Sequence, residues 1–185
     1  MSSTIIFNLY INELPNFLES KGHKGIFITD KIPEMLCMMY ADDVVICAET
    51  AVELQRQLNS ISDFCECYGM SINQSKTEIT VFRNSGGLRS YEKWYYRGYP
   101  VNVTSEYKYM GLLFSSNLTW TKAHAKLSVQ AKKSILAINR FQKTFGNLNV
   151  DEYFKLFDSM VKPILVYGSE IWGNVPTCPV EKIQA

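Results

Sequence analysis

Two adjacent carboxylates, Asp42 and Asp43, stand between two short apolar runs, residues 35–40 and 44–48. Ionised carboxylates beside a buried strand are costly unless a turn solvates them or cations neutralise them. The pair therefore reads either as an exposed turn or as a set of metal ligands. Mg2+ takes one or two carboxylates and completes its shell with water and substrate phosphates. In two-metal phosphoryl transfer, ions roughly 3.5–4 Å apart activate the attacking oxygen and stabilise the leaving one. A stiff hairpin tip is a suitable mount for such ligands. Ala41-Asp42-Asp43 is not a favoured turn sequence, so something besides turn propensity selects these residues.

A second pattern lies further along the chain. From 122 to 143 there are six basic residues (Lys122, Lys126, Lys132, Lys133, Arg140, Lys143) and no acid. The whole chain, with 19 Lys and Arg against 18 Asp and Glu, carries only +1, which hides this asymmetry. A merely solvated face usually mixes signs. A stripe of one sign meets phosphates and gives salt-dependent affinity without sequence preference.

The elements that must position these residues follow from periodicity. Residues 4–14 read as a helix that Ser2 or Ser3 caps and Pro15 stops or restarts. Residues 21–31, with Gly22 and Gly25, read as a loop. The runs on either side of Asp42 and Asp43 read as a β-hairpin. Thr50 and Glu53 form a capping box ahead of Leu54, Leu58, Ile61, Cys65 and Tyr68, and Gly69 closes that helix. Alternation over 77–82 predicts a strand, 84–90 a surface loop, and the aromatic stretch through Phe114 a small antiparallel meander. From Thr121, Leu127, Ala131, Ile135, Ile138 and Phe141 predict a helix. Asn149 with Glu152 caps another, whose apolar members are Tyr153, Phe154, Phe157 and Val161, and Pro163 ends or kinks it. Beyond Trp172, Pro176 and Pro179 dissolve the pattern. The 185 residues, 46% hydrophobic, exclude a disordered tail, and the two Asp residues interrupt the most apolar stretch, so no membrane span is expected. Five cysteines without a C-x-x-C, and no His at finger spacing, predict reduced core thiols rather than zinc ligands. The start Met1-Ser-Ser-Thr lacks a basic-then-apolar signal, so an intracellular (cytoplasmic or nuclear), unsecreted protein is expected.

With these blocks in order, the chain resembles the reverse transcriptases. Tyr40-Ala41-Asp42-Asp43 is similar to their Tyr-x-Asp-Asp box. Residues 3–15, with Ser3, Phe7, Asn8, Asn12 and Pro15, look like the helix that precedes it, and 69–77, ending Lys76-Thr77, like the block that follows. Tyr107-Lys-Tyr109-Met110-Gly111 is similar to the primer-contacting hairpin. Ser116-Asn-Leu118-Thr-Trp120 with His124, and Val166-Tyr-Gly168-Ser-Glu170-Ile-Trp172, match the thumb side of the non-LTR retrotransposon branch. Thr4 stands where the family usually has Pro, and Met110 where it usually has Leu.

The resemblance implies an α+β fold. Residues 1–83 would be a partial palm, a ferredoxin-like split βαβ lacking its first strand; 84–120 an aromatic, primer-grip-like β-hairpin region; and 121–185 a helical, thumb-like region. Asp42 and Asp43 would hold Mg2+, or Mn2+ in its place. Lys76 would approach the nucleotide phosphates as a third catalytic residue. Ser3, Phe7, Asn8, Tyr40 and Ala41 would line the template and nucleotide site, Tyr109 and Gly111 would grip the primer, and Lys122, Lys126, Lys133 and Arg140 would meet nucleic-acid backbone. The partners would be an RNA template, a DNA primer and deoxynucleoside triphosphates, with no membrane. The family's first catalytic Asp precedes the helix at 3–15, and no acid precedes Glu13. A polymerase fragment weak or inactive alone is therefore expected. The alternatives are a non-catalytic nucleic-acid-binding relic and a piece of a group II intron-type maturase.

Overall fold

The structure, a computed structural model, describes residues 2–146 and 148–173. The chain divides into two compact units, one of residues 1–79 and 87–103, the other of 80–86 and 104–185.

In the first unit, α1 (Ser2–Ile11) takes most of the helix predicted over 4–14, and α2 (Leu14–Ser20) follows it. Pro15 lies in the first turn of α2, where its missing N–H costs no hydrogen bond, so it restarts the helix. The predicted loop over 21–31 is instead part of a narrow ribbon, bridged at Ile26–Met35 and Thr29–Ile32. Gly25 permits this close approach, since a Cβ there would stand 2.2 Å from the Met35 carbonyl carbon.

β1 (Cys37–Tyr40) and β2 (Asp43–Ile46) form the predicted antiparallel hairpin, and α3 (Ala51–Cys67) follows. Thr50 Oγ1 accepts from the Glu53 N–H at 3.1 Å, as a cap should. The Glu53 carboxylate, however, turns to His23 and Arg56, so only half of the predicted capping box is made. The far end closes as the sequence implies: Gly69 takes φ +63° and the Met70 N–H reaches the Cys65 carbonyl at 2.8 Å. Leu14, Leu18, Leu36, Ile61, Phe64, Cys65 and Tyr96 form the core of this unit.

The strand predicted over 77–82 contracts to β3 (Glu78–Ile79). β4 (Tyr95–Tyr96) and β5 (Tyr99–Pro100) make a tight hairpin, and β6 (Asn102–Val103) pairs in parallel with β3. The Gln55 amide docks this hairpin on α3, donating to the Tyr95 carbonyl and accepting from the Tyr95 N–H, both at 2.8 Å.

The second unit opens with the hairpin of β7 (Glu106–Tyr109) and β8 (Leu112–Ser115). Four helices follow: α4 (Thr121–Phe145), α5 (Val150–Met160), α6 (Lys162–Leu165) and α7 (Ser169–Trp172). The predicted Asn149–Glu152 capping box is complete, and Pro163 lies in the first turn of α6. Ala131, Ile138, Val161 and Leu165 bind α4 to α5 and α6, while Leu112, Leu127 and Trp172 bind it to the hairpin. Phe154 and Phe141, predicted to face inward, are exposed, and Leu156 packs on the core instead.

Among the described residues the strands pair two by two in four ladders. The fold is thus mixed helix and sheet, with β1 and β2 bonded only to each other. Cys37, Cys47, Cys65 and Cys67 are free thiols; Cys65 is buried, but Cys67 is exposed rather than in the core. Cys178, Pro176 and Pro179 lie outside the described residues. No helix among the described residues is long and apolar enough to cross a membrane.

Candidate active site

The β1–β2 register pairs Tyr40 with Asp43, leaving only Ala41 and Asp42 in the turn. Ala41 takes φ +53°. A non-glycine residue in that region costs roughly 1–2 kcal/mol, and such strain clusters where function requires a particular backbone. Val44 and Ile46 pack against the core. Because side chains alternate along a strand, Asp43 belongs to the opposite face, beside its cross-strand partner Tyr40. That face is open: Tyr40 is 60% exposed and Met38 37%. Asp42 and Asp43 are both exposed at the tip. One side of the hairpin is therefore anchored while the other presents two carboxylates and a tyrosine to solvent.

The base of the hairpin is held by side chains that periodicity alone did not single out. Gln57, fully buried, donates to the Cys47 carbonyl just beyond β2 and to the Lys24 carbonyl, each at 3.2 Å. Cys47 in turn donates its N–H to the Leu36 carbonyl at 2.9 Å. Burial pushes the Cys37 and Cys47 thiols up from their ordinary values, so they remain protonated thiols at neutral pH. Buried His23 lies between Glu53 (Nδ1 to Oε1, 2.6 Å) and the Ser60 hydroxyl (Nε2 to Oγ, 2.7 Å), tying the chain after α2 to α3. The signal for Gln57 was present in the sequence: it falls within the apolar stripe of α3, between Leu54 and Ile61.

The His23 hydrogen bond, aided by Arg56, holds the Glu53 carboxyl below its ordinary value of 4.5. A depressed carboxyl stabilises the fold above the unfolded value, and that stability is lost as pH falls through the folded one. Glu53→Gln should lower the urea midpoint at pH 7 by the equivalent of at most about 1 kcal/mol, since solvent partly screens the carboxylate. The difference should shrink as pH falls from 4.5 through the lower folded value; equal pH dependence of the two proteins in urea melts would contradict it.

The other predicted residues are placed as follows. On α1, Phe7 is half-buried and Asn8 exposed, and the Ser3 side chain lies outside the described residues. Lys76 is exposed on a turn built by Asn73, whose side-chain oxygen accepts from the Ser75 N–H and hydroxyl and whose carbonyl accepts from Lys76 and Thr77. In the second unit Tyr109 is half-buried, and Gly111 takes φ +85° in the β7–β8 turn. Lys126, Lys133 and Arg140 fall seven residues apart on one exposed face of α4. Lys122 is engaged by Glu106, which reduces its reach toward another partner. Val129 and Leu136, each more than half exposed, interleave the cations, so the stripe is basic and apolar rather than purely basic. An open groove along α4 is lined by Leu136, Asn139, Arg140, Gln142 and Lys143.

Residues 1–114, which include the hairpin, match the family model of the reverse transcriptase (RNA-dependent DNA polymerase). The chain belongs to the reverse transcriptase family. This reverse transcriptase segment is 26% identical over 157 residues to the RNA-directed DNA polymerase from mobile element jockey of Drosophila funebris, covering 82% of the chain and 17% of that protein. It is 21% identical over 187 residues to the probable RNA-directed DNA polymerase from transposon X-element of Drosophila melanogaster, covering 98% and 19%. A putative uncharacterized transposon-derived protein of Caenorhabditis elegans is 28% identical over 141 residues, 73% of the chain and 48% of that protein. The segment thus spans less than half the length of each of these relatives. The resemblance to the non-LTR reverse transcriptase domain is borne out. No solved structure matches the chain.

The donor set suits Mg2+ in kind. Two neighbouring carboxylates on an open tip supply hard oxygens and leave space for water and phosphate. Among the described residues no group of three His, Cys, Asp or Glu side chains gathers to hold a metal. The pair fits a site completed by substrate, not a protein cage.

Proposed function

We propose that this chain is the part of an RNA-directed DNA polymerase of a non-LTR retroelement that carries its metal-binding tip, the turn gripping the primer, and a basic helix bearing on the duplex. In this reading residues 1–83 belong to the palm, 84–120 to the primer-grip region and 121–185 to the thumb. The observation that carries the reading is the strained Ala41–Asp42 turn on a hairpin whose inner face, Val44 and Ile46, is locked into the core. Glycine would take that conformation without strain, so an alanine there supports a task for the turn beyond reversing the chain.

Asp42 and Asp43 would hold divalent cations shared with the phosphates of an incoming deoxynucleoside triphosphate. When bound, Mg2+ supplies charge that neutralises the phosphates and lowers the barrier to attack by the primer hydroxyl. Tyr40 and Ala41 form the surface under the primer end, Ser3, Phe7 and Asn8 stand toward template and nucleotide, and Lys76 offers a cation to the phosphates. With two carboxylates and no third donor gathered beside them among the described residues, the chain alone is expected to bind metal weakly and to extend primers at background level. The basic face of α4 supports the second role, holding an RNA–DNA duplex through its backbone.

The metal assignment has a direct test. Mn2+ added to the isotopically labelled chain should selectively broaden the amide resonances of residues 40–44, and Asp42→Asn with Asp43→Asn should restore them. Broadening confined to other acidic positions would remove the metal from this hairpin.

A further inference from the structure

We propose that Tyr167 is a positioning residue that locks the peptide plane of the Met110–Gly111 turn, so that the Gly111 N–H faces outward as a donor for a primer phosphate. This rests on the reading above that the turn meets the primer. The β7–β8 register pairs Tyr109 with Leu112, so the turn contains only Met110 and Gly111. Both have positive φ, +45° and +85°, the mirror-image turn that matches strand twist. The peptide between two such residues makes no ladder bond, and two four-residue strands do little to prevent it from flipping.

The Tyr167 hydroxyl donates to the Met110 carbonyl. A trans peptide is planar, with its C=O and N–H pointing in opposite directions. Holding the Met110 carbonyl on Tyr167 therefore directs the Gly111 N–H away from it. The ring also lies against Gly111, where an added Cβ would meet its carbons and hydroxyl at 3.4 Å. Tyr167 is itself fixed from behind. The Trp172 indole N–H donates to the Tyr167 carbonyl at 2.9 Å, and Trp172 is buried against Leu112 and Leu127. Gly168, at φ +73°, lets the chain reverse with Leu112 so close that a Cβ would stand 3.2 Å from it. Tyr167 remains 47% exposed, so burial is a weak reason for a tyrosine here and the hydroxyl is a strong one.

Tyr167→Phe removes the hydroxyl and leaves the ring. The test compares affinities of the 185-residue chain for an RNA–DNA hybrid with a recessed DNA 3′ end and for a blunt hybrid of equal length. Wild type should prefer the recessed end. Tyr167→Phe should lose about five- to tenfold on that hybrid, the scale of one hydrogen bond, with the blunt hybrid and the melting midpoint unchanged. A variant that keeps the full end preference overturns this proposal and leaves the reading of the turn standing. A wild-type chain without end preference removes that reading and this proposal with it. Losses equal on both hybrids, tracking a lowered melting midpoint, make Tyr167 merely structural and overturn it too.

Discussion

Asp42→Asn, introduced into a polymerase that contains this segment, should reduce Mg2+-dependent primer extension by about a thousandfold or more. The change is nearly isosteric. It leaves the two-residue turn between Tyr40 and Asp43 and the packing of Val44 and Ile46 untouched. It removes one negative charge from the pair of carboxylates proposed to hold the cation. Phosphoryl transfer offers the protein little covalent chemistry, so positioned charge and metal account for most of the rate. A neutral amide is a poorer ligand for a hard cation and leaves phosphate charge uncompensated. Binding of primer and template should persist, because the cations of α4 do not depend on the tip. The check is single-turnover extension on an RNA template with duplex affinity measured in parallel. Retention of a tenth or more of wild-type rate, at equal affinity, would deny Asp42 the role of metal ligand.

The hairpin was legible in the sequence because two apolar runs and an intervening acidic step leave few alternatives. What periodicity could not show was that the turn takes only Ala41 and Asp42, with Asp43 already in β2; pairing register is a tertiary property. The helix ends were readable where a single local interaction decides them, as at Gly69 and at the Asn149–Glu152 box. Thr50 and Glu53 show the limit of that logic. The same spacing was present, but His23, thirty residues away in sequence from Glu53, competes for the carboxylate. The short strands β3 and β6 were lost to prediction because two-residue pairings depend on neighbours rather than on their own pattern. The site was half legible. The charged candidates, Asp42 and Asp43 in the first unit and the α4 cations in the second, stood out by type and spacing; Gln57 stood in the apolar stripe of α3, but the carbonyls that it and Tyr167 bind are displayed by no sequence pattern.

Replacing Lys126 and Lys133 by Gln should flatten the salt dependence of duplex binding. With Lys122 engaged by Glu106, Lys126, Lys132, Lys133, Arg140 and Lys143 remain on α4 without an ion pair among the described residues. If all five met phosphates, the logarithm of affinity would fall with the logarithm of salt with a slope of about −4.5. Removing two contacts should bring the slope to about −2.7 and cost about tenfold to a hundredfold in affinity near 0.1 M salt. Both side chains are exposed and carry no core packing, so the melting midpoint should stay where it is. The interleaved Val129 and Leu136 make a second demand. Apolar groups contribute affinity that salt does not screen, so the doubly substituted chain should retain a salt-insensitive residue of binding. The measurement is fluorescence anisotropy of a labelled RNA–DNA hybrid across a salt series. An unchanged slope would place the duplex elsewhere and leave the basic face of α4 without a role in holding nucleic acid.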